Sequence, residues 1–434
     1  MTKDLTKGNP MKLIISFAVP LLFGFLFQQF YNLVDTMIVG RFLGVDDLAA
    51  VGSTGSVNFL VIGFCMGVCN GFAIPVSHKF GAGDYVGMRK YVANCAWLGL
   101  VFSVVMTVVT AILCRNILVW MKTPANIIDG AYDYIFIIFI GIPTVYLYNI
   151  VAGVIRATGD SKTPVVFLVL SSIINIVLDL YFIISLHMGV AGAAWATVIG
   201  QVVSGLLIIF YFARLRNMYL DRSMLIPKTR NLSAIFSLGM ASCINQIAIA
   251  AVQIVMNNTL RHYGALSAYG SDIPIACAGI ISKVNQVFMA ICIGISQGSQ
   301  PIWGFNYGAE KYSRVRQTYR YSVALCTVIA TVFFICFQFF PHQIVSIFGN
   351  GSDLYFHFAE KYLRIFMLMT FANGIQPMSA GFFTSIGKAR LGVIMSLTRQ
   401  VLFLLPLIVI FPVFFGIDGV MYAGPIADTS AFVP

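Results

Sequence analysis

The sequence predicts an all-α membrane protein with twelve transmembrane helices in two six-helix lobes. Of its 434 residues, 59% are hydrophobic and only 10% are charged, whereas a soluble domain carries about 25% charged residues. Apolar stretches of the roughly 20 residues that a helix needs to cross a bilayer recur along the whole chain. A sequence repeat also divides the chain into two similar halves. The lipid bilayer is therefore the expected solvent.

Apolar runs separated by glycine, proline and charged residues place the twelve helices. Those of the first half are predicted at 13–39, 50–77, 91–113, 131–155, 164–186 and 190–213. Those of the second half are predicted at 233–260, 273–298, 317–340, 358–384, 393–413 and 417–434. Helix 12 is short and is expected to be truncated. The polar, basic segment from Met1 to Lys12 predicts that no cleavable signal peptide precedes the first helix.

The distribution of basic residues predicts the orientation in the membrane. The N-terminus and the loops after helices 2, 4, 6, 8 and 10 hold most of the 27 Lys and Arg residues. The positive-inside rule then places both termini in the cytoplasm. The net charge of +11 is thus explained by the basic residues of the cytoplasmic loops. The sequence has no basic stripe interleaved with aromatic residues, so nucleic-acid binding is not indicated. The nine cysteines form no CxxC pair, which predicts neither a disulfide framework nor a zinc site.

A set of residues in the first half recurs 227 positions further along. It comprises Val57, Asn58, Cys65, Gly67, Gly71, Gly81, Ala82 and Arg89, matched by Val284, Asn285, Cys292, Gly294, Gly298, Gly308, Ala309 and Arg316. With one more residue of offset, Tyr134, Gly153 and Gly159 match Tyr362, Gly381 and Gly387. The alternative is that small residues recur only because helices pack through them.

This duplication predicts three segments: an N-terminal lobe at 1–213, a basic cytoplasmic linker at 214–232 and a C-terminal lobe at 233–434. Each half contains an even number of helices, so both copies enter the membrane in the same orientation. Such parallel repeats predict a pseudo-twofold axis along the membrane normal, with a central cleft.

Four ionisable side chains are expected deep inside predicted helices: Asp35 in helix 1, Asp179 in helix 5, Lys283 in helix 8 and Arg399 in helix 11. An ionisable side chain in the bilayer costs several kcal/mol unless it is paired or hydrated, so each is a functional candidate. The alternative for the acids is that each pairs with a cation or caps a polar network. The bases can also snorkel to the interface.

Asp35 and Asp179 are expected at a similar depth near the outer ends of their helices. Asn175 lies one turn before Asp179 on the same face, and Thr197 in helix 6 reaches a comparable depth. Two carboxylates, an amide and a hydroxyl can then converge. Such oxygen ligands suit either a shared proton or a hard cation such as Na⁺. These residue types do not distinguish a proton site from a Na⁺ site. Na⁺ bound by Asp35 and Asp179 is the only metal expected.

Further polar side chains are candidates for a substrate cavity. They are Gln28, Tyr31, Asn32, Gln201, Gln246, Asn257, Lys283 and Arg399. For the three in helix 1, the alternative role is hydrogen bonding between helices. Pro20 interrupts helix 1 and predicts a hinge, although membrane helices also tolerate proline for packing. The 37 Phe and 18 Met residues offer adaptable apolar surface for flat hydrophobic cations.

Several motifs together are similar to those of the multidrug and toxic compound extrusion (MATE) family. They are the run from Gln29 to Gly44, the segment Leu48 to Gly52, Gly81 to Asp84, Arg156 to Pro164, Asn175 to Asp179, Gly189 to Ala194 and Asn306 to Ala309. The resemblance covers nearly the whole chain. It implies twelve helices in two lobes and export of organic cations or amphiphilic drugs, driven by inward movement of H⁺ or Na⁺.

In the DinF-like branch of this family, the resemblance implies a first-lobe cation site at Asp35, Asn175, Asp179 and Thr197. Members of the NorM-type branch carry additional acids in helices 7 and 10. Here helix 7 has no acid, and helix 10 has only Glu360 at its outer end. The chain therefore resembles the DinF-like branch more closely.

The resemblance further implies a monomeric, multi-pass transporter of the bacterial cytoplasmic (inner) membrane with no enzymatic activity and no cofactor. Its expected partners are the bilayer and small-molecule cationic drugs. The alternative function is a flippase for lipid-linked oligosaccharides of the same superfamily, which is expected to have a more basic cleft. A receptor or an intramembrane enzyme is less favoured, because no paired His and Glu of a metalloprotease and no nucleophile motif is found.

Overall fold

The protein is described here by a computed structural model covering residues 4–121, 123–215, 224, 226–270, 272–348 and 352–432. Every regular element within these ranges is helical, as the sequence predicts. The predicted linker at 214–232 lies partly outside the described residues, as do the last two residues of predicted helix 12.

The first 213 residues contain eight α-helices. They are α1 Pro10–Phe42, α2 Val45–Phe72, α3 Ile74–Gly81, α4 Tyr85–Trp120, α5 Ile128–Ile140, α6 Ile142–Ala157, α7 Lys162–Leu180 and α8 Gly189–Ala213. A π-helical turn, Tyr181–Ser185, directly follows α7. The predicted helices 1 to 6 correspond to α1, α2 with α3, α4, α5 with α6, α7 and α8.

The rest of the described chain contains ten more α-helices. They are α9 Thr229–Ala265, α10 Asp272–Gly308, α11 Tyr312–Phe339, α12 Pro341–Ser346, α13 Asp353–Phe366, α14 Thr370–Asn373, α15 Ile375–Ser385, α16 Ala389–Leu397, α17 Leu405–Phe415 and α18 Asp418–Phe432. A π-helical segment, Thr398–Leu404, joins α16 to α17.

Within the described ranges, nine helices or continuous helical runs are long and apolar enough to span a membrane, and the pair α5–α6, bent by 41°, makes a tenth. Predicted helix 10 is instead divided into α13, α14 and α15. Predicted helix 12 corresponds to α18, whose 15 residues are shorter than the roughly 20 that a bilayer requires.

The internal repeat is visible in the helix boundaries. The same 227 residues separate the starts of α2 and α10, at Val45 and Asp272, and the starts of α4 and α11, at Tyr85 and Tyr312. The ends of α3 and α10 are also 227 residues apart. Two matched residues at an offset of 228, Gly159 and Gly387, both have positive φ, 97° and 82°. The repeat is therefore a repeat of local structure and not only of small residues.

The chain divides into two compact units. The first comprises Met1–Gly8, Val19–Cys243 and Pro301–Arg314, and the second comprises Asn9–Ala18, Ile244–Gln300 and Val315–Pro434. These units group residues by packing and do not test the lobes predicted at 1–213 and 233–434, which stay a prediction.

Asp160 holds the turn between α6 and α7. Its carboxylate accepts hydrogen bonds from the backbone N–H groups of Lys162 and Thr163, both at 3.1 Å, and from the Thr163 hydroxyl at 2.6 Å. The Tyr211 phenol on α8 donates a further bond at 2.8 Å. Burial opposes the charged carboxylate, but these hydrogen bonds outweigh it and hold the pKa of Asp160 below its ordinary value.

We expect Asp160→Ala to lower the free energy of unfolding by about 1–2 kcal/mol, as for a lost helix cap. Because the folded-state pKa is lowered, this contribution is present above the ordinary value of 3.8 and is lost as the pH falls through the folded pKa. The difference in Tm from the wild-type protein in detergent should thus be larger at about pH 7 than at about pH 3. Asp160→Asn keeps an acceptor oxygen and should lose less. Equal Tm values for both variants and the wild type would contradict this assignment.

Candidate functional site

Two buried carboxyl groups face each other in the first unit. Asp35 on α1 is 7% exposed and Asp179 on α7 is 0% exposed. Their side chains lie within hydrogen-bonding reach of one another. Among the described residues, no base forms a salt bridge with either. Two ionised carboxylates so placed repel each other, and a shared proton or a bound cation relieves that repulsion.

Asn175 and Thr197 extend this site across two neighbouring helices. Asn175 lies one turn before Asp179, and its Nδ2 donates to Thr197 Oγ1 on α8 at 3.2 Å. Gly200 permits the close approach, because a Cβ there would lie 3.3 Å from the Asn175 Cβ and 3.1 Å from the Ser171 carbonyl oxygen. The structure therefore brings together all four residues that were predicted to bind the coupling ion.

Two tyrosines complete the surroundings of the acids. Tyr31, a predicted cavity residue one turn before Asp35, lies beside the Thr197 hydroxyl and close to both carboxyl groups. Tyr134 on α5 is 7% exposed and is also close to both acids. The sequence reasoning used Tyr134 only as a repeat match. Its position near the outer end of predicted helix 4, at a depth similar to that of Asp179, was a signal that could have identified it.

The site presents oxygen atoms without partners. The Asp35 Oδ1, the Asn175 Oδ1 and both carboxylate oxygens of Asp179 are buried and accept no hydrogen bond from any residue that the structure describes. Buried polar atoms are normally satisfied, because leaving one unpaired costs about 1–3 kcal/mol. An arriving proton or hard cation would supply the missing partner for several of these oxygens at once. The arrangement is suited to binding and releasing a small cation.

Other predicted residues of the first unit lie outside this cluster. Gln28 on α1 and Gln201 on α8 are half-buried, and Asn32 on α1 is exposed. No hydrogen bond among the described residues joins these three side chains to the acids, and their role in a cavity stays a prediction. Pro20 lies inside α1, which runs without interruption from Pro10 to Phe42.

The remaining cavity candidates belong to the second unit. On α9, Gln246 is half-buried, and the exposed Asn257 accepts a hydrogen bond from Gln253 Nε2 at 3.1 Å. Lys283 is exposed on α10. Their role in binding substrate stays a prediction.

Arg399 has a partner that the sequence reasoning overlooked. Its Nε donates to Asp428 Oδ1 on α18 at 2.5 Å, and the two side chains are 13% and 2% exposed. Asp428 therefore joins the four ionisable residues that were expected deep inside predicted helices. Arg399 thus pairs with an acid of its own half of the chain, and not with Asp35 or Asp179. Arg399 also sits in the π-helical segment Thr398–Leu404.

Comparison with known proteins identifies the family. The MatE family model matches residues 20–181 and 241–410, which is more than half of the chain. The chain belongs to the MatE family. One MatE relative is the "Probable multidrug resistance protein YoeA" of Bacillus subtilis, 29% identical over 86% of this chain and 81% of that protein. Another is the "Multidrug export protein MepA" of Staphylococcus saprophyticus, 26% identical over 98% of this chain and 92% of that protein.

A solved structure confirms the predicted fold. It is described as the "Outward-facing conformation of a multidrug resistance MATE family transporter of the MOP superfamily" and superposes with a TM-score of 0.91 at 22% identity. The match covers 99% of this chain and 94% of that one. The protein is thus a multi-pass helical membrane protein of the MatE fold. Its place in the DinF-like branch stays a prediction.

Proposed function

We propose that this MatE protein is a secondary active antiporter that exports organic cations or amphiphilic drugs in exchange for H⁺ or Na⁺ by alternating access. The observation that carries the proposal is the pair of buried acids, Asp35 and Asp179, which face each other with no basic partner in the described part of the chain. Relatives that are named multidrug export or multidrug resistance proteins support the substrate class.

The two acids couple the inward movement of the ion to the outward movement of the drug through their negative charge. With both carboxylates ionised, the site is anionic and repels itself, so it attracts a cation from the side to which it is open. Inward movement of one positive charge down a membrane potential of 100 mV releases about 2.3 kcal/mol. Asn175 and Thr197 hold the acid on α7 in register with α8 and can offer oxygen ligands to Na⁺. The same carboxyl pair can instead hold a proton.

When a proton or Na⁺ binds, the negative charge of the Asp35 carboxylate is cancelled, and this changes the stability of α1 around Asp35. We assign Pro20 to the hinge about which α1 then bends, because its missing N–H leaves a carbonyl one turn earlier without a helical hydrogen bond. Bending near Pro20 would move the segment that carries Tyr31 and Asp35 and evict the bound drug outward. Gln28 and Asn32 lie on that same segment and are assigned to the drug cavity.

The proposed transport function also includes a location in the cell. We place it as a monomer in the bacterial cytoplasmic membrane with its N-terminus in the cytoplasm, as the positive-inside rule predicts. The oligosaccharide flippase is less supported, since the relatives named here are multidrug proteins and the acid pair is anionic.

Transport by purified protein in proteoliposomes tests the proposal. Vesicles loaded with a fluorescent cationic dye are given a pH gradient alone, and then a Na⁺ gradient alone. We expect one of the two gradients to drive dye movement, and the effective gradient identifies the coupling ion. Protein-free liposomes are the control. Dye movement that responds to neither gradient would contradict antiport.

A further inference from the structure

The glycines that end α3 and α10 mark a close crossing of two segments within the first unit. Each segment consists of helical turns and the turn that follows them, 74–83 at α3 and 301–311 at the end of α10, and we call these segments the two loops. A Cβ on Gly81 would collide with the backbone carbonyl of Phe305, and a Cβ on Gly308 would collide with the backbone carbonyl of His78. Real Cβ atoms do not approach other atoms this closely, so only glycine allows these backbones to touch. Each loop thus inserts its glycine against the carbonyl of the other.

The crossing follows the internal repeat. Adding 227 to 78 and to 81 gives 305 and 308, so the contact of Gly81 with Phe305 and that of Gly308 with His78 are the same contact made twice. The ring pairs repeat in the same way. Phe80 packs on Phe305 with ring centroids 5.3 Å apart, and His78 packs on Tyr307 at 5.5 Å.

The local repeat axis passes through the centre of this crossing. Ser77 and Gly304 are equivalent positions, 227 residues apart, and they touch each other: a Cβ on Gly304 would lie 3.3 Å from the Ser77 Cβ. The residues that follow the two glycines also match, since Gly83 and Glu310 both have positive φ, 72° and 59°. The two loops therefore have the same shape and interlock symmetrically.

The N-terminal segment covers the same loops. Asn306 Nδ2 donates to the Leu5 carbonyl oxygen at 3.2 Å, and the Arg314 guanidinium donates to the Gly8 carbonyl oxygen at 2.8 Å. The Leu5 side chain is 0% exposed. Residues 4–8 are thus a strap that is held by Asn306 of the second loop, by Arg314 on α11 and by one buried leucine.

We propose that the loops 74–83 and 301–311 form a latch that closes the cytoplasmic end of the protein and must part in every transport cycle, with the strap 4–8 stabilising the closed form. Both loops lie on the side that the positive-inside rule makes cytoplasmic. The glycine–carbonyl contacts and ring edges of the crossing are weak one by one, so each costs little to separate. The inference rests on the proposed transport function, because a latch that parts in each cycle requires one.

A reversible cross-link tests the latch. The double variant Ser77→Cys/Gly304→Cys places two thiols at positions whose Cβ atoms would be 3.3 Å apart, near the roughly 3.5–4.5 Å of disulfides. We expect mild oxidation to join them, dye transport to fall to the level of protein-free liposomes, and a reductant to restore it. The oxidised wild-type protein, which has nine native cysteines, and each single variant are the controls.

The outcomes separate the latch from the transport function. Absence of dye transport by the untreated wild-type protein would count against the proposed function. Transport at the wild-type rate by fully cross-linked protein, with the bond confirmed by mass spectrometry, would overturn the latch alone. Failure of the two thiols to join under oxidation would also overturn it, since positions 77 and 304 would then not touch.

A second measurement addresses opening directly. Gly81→Ala should force the loops apart, so that a thiol introduced by Ser77→Cys reacts faster with a membrane-impermeant maleimide applied from the cytoplasmic side. We expect about a tenfold increase, the population change that corresponds to 1.4 kcal/mol. The matched control is Gly55→Ala on α2, where a Cβ meets nothing within 4 Å. Equal labelling rates in the two backgrounds would overturn the latch.

Discussion

Asp179→Asn is expected to reduce ion-driven dye efflux to the level of protein-free liposomes while leaving the protein folded. The amide has nearly the same shape as the carboxyl group, but it holds no negative charge for an arriving cation to cancel. Asp179 is fully buried beside Asp35, and no described residue donates a hydrogen bond to either of its carboxylate oxygens. Removing one of two facing carboxylates also removes their repulsion, so we expect the Tm in detergent to remain equal to that of the wild type or to rise.

The matched control is Asp129→Asn on α5, whose carboxylate is 80% exposed and pairs only loosely with Arg115 at 3.4 Å. This variant should transport dye at the wild-type rate. Asp35→Asn should behave as Asp179→Asn does. A second measurement is the release of protons or Na⁺ when cationic dye is added to purified protein, which either acid-to-amide variant should lose. Normal efflux by Asp179→Asn would show that the acid pair is not the coupling site.

The sequence was sufficient to predict the class of fold, because bilayer thickness imposes long apolar helices that are visible as composition. The sequence did not predict where a transmembrane helix is divided into shorter helices. Gly141 lies between α5 and α6, and Gly374 precedes α15, yet both were expected inside continuous helices. Glycine is common in membrane helices, and only packing decides whether a helix bends at it.

The ion site could be predicted largely because burying a charge in lipid is so costly that few residues qualify. Asp35 and Asp179 were found by that rule, and Asn175 by its spacing of one turn from Asp179. Tyr134 was not found, since tyrosine is common near membrane surfaces and its presence alone identifies no site. Its contribution follows from the packing of α5 against α8, the helix that carries Thr197, which no local pattern encodes.

Asp428 was missed for a different reason. It lies inside helix 12 as predicted at 417–434, but that helix was expected to be truncated, and its acid was not counted among the charges deep in the membrane. In the structure α18 runs through Pro425 to Phe432 and carries Asp428 to Arg399. The pairing itself follows from the packing of α18 against the π-helical segment Thr398–Leu404, which no local pattern in the sequence encodes.

Asp428→Asn, which removes the acid of the Arg399–Asp428 pair, is expected to destabilise the second unit strongly. Arg399 and Asp428 are 13% and 2% exposed, and removing one partner of a buried pair leaves an uncompensated charge that costs about 3–5 kcal/mol. We expect a marked fall in Tm and in the yield of monodisperse protein in detergent. The double variant Arg399→Met/Asp428→Leu removes both charges and should recover most of the loss.

The chain offers a matched control in the same unit. Lys361 and Asp418 also pair at 2.6 Å, and Asp418 is likewise on α18, but their side chains are 34% and 32% exposed. Water can solvate Lys361 when its partner is lost, so Asp418→Asn should cost no more than about 1 kcal/mol. If Asp428→Asn and Asp418→Asn lower the Tm equally, burial does not govern the Arg399 pair. If the double variant is as unstable as Asp428→Asn, the loss comes from packing around α18 and not from the unpaired guanidinium.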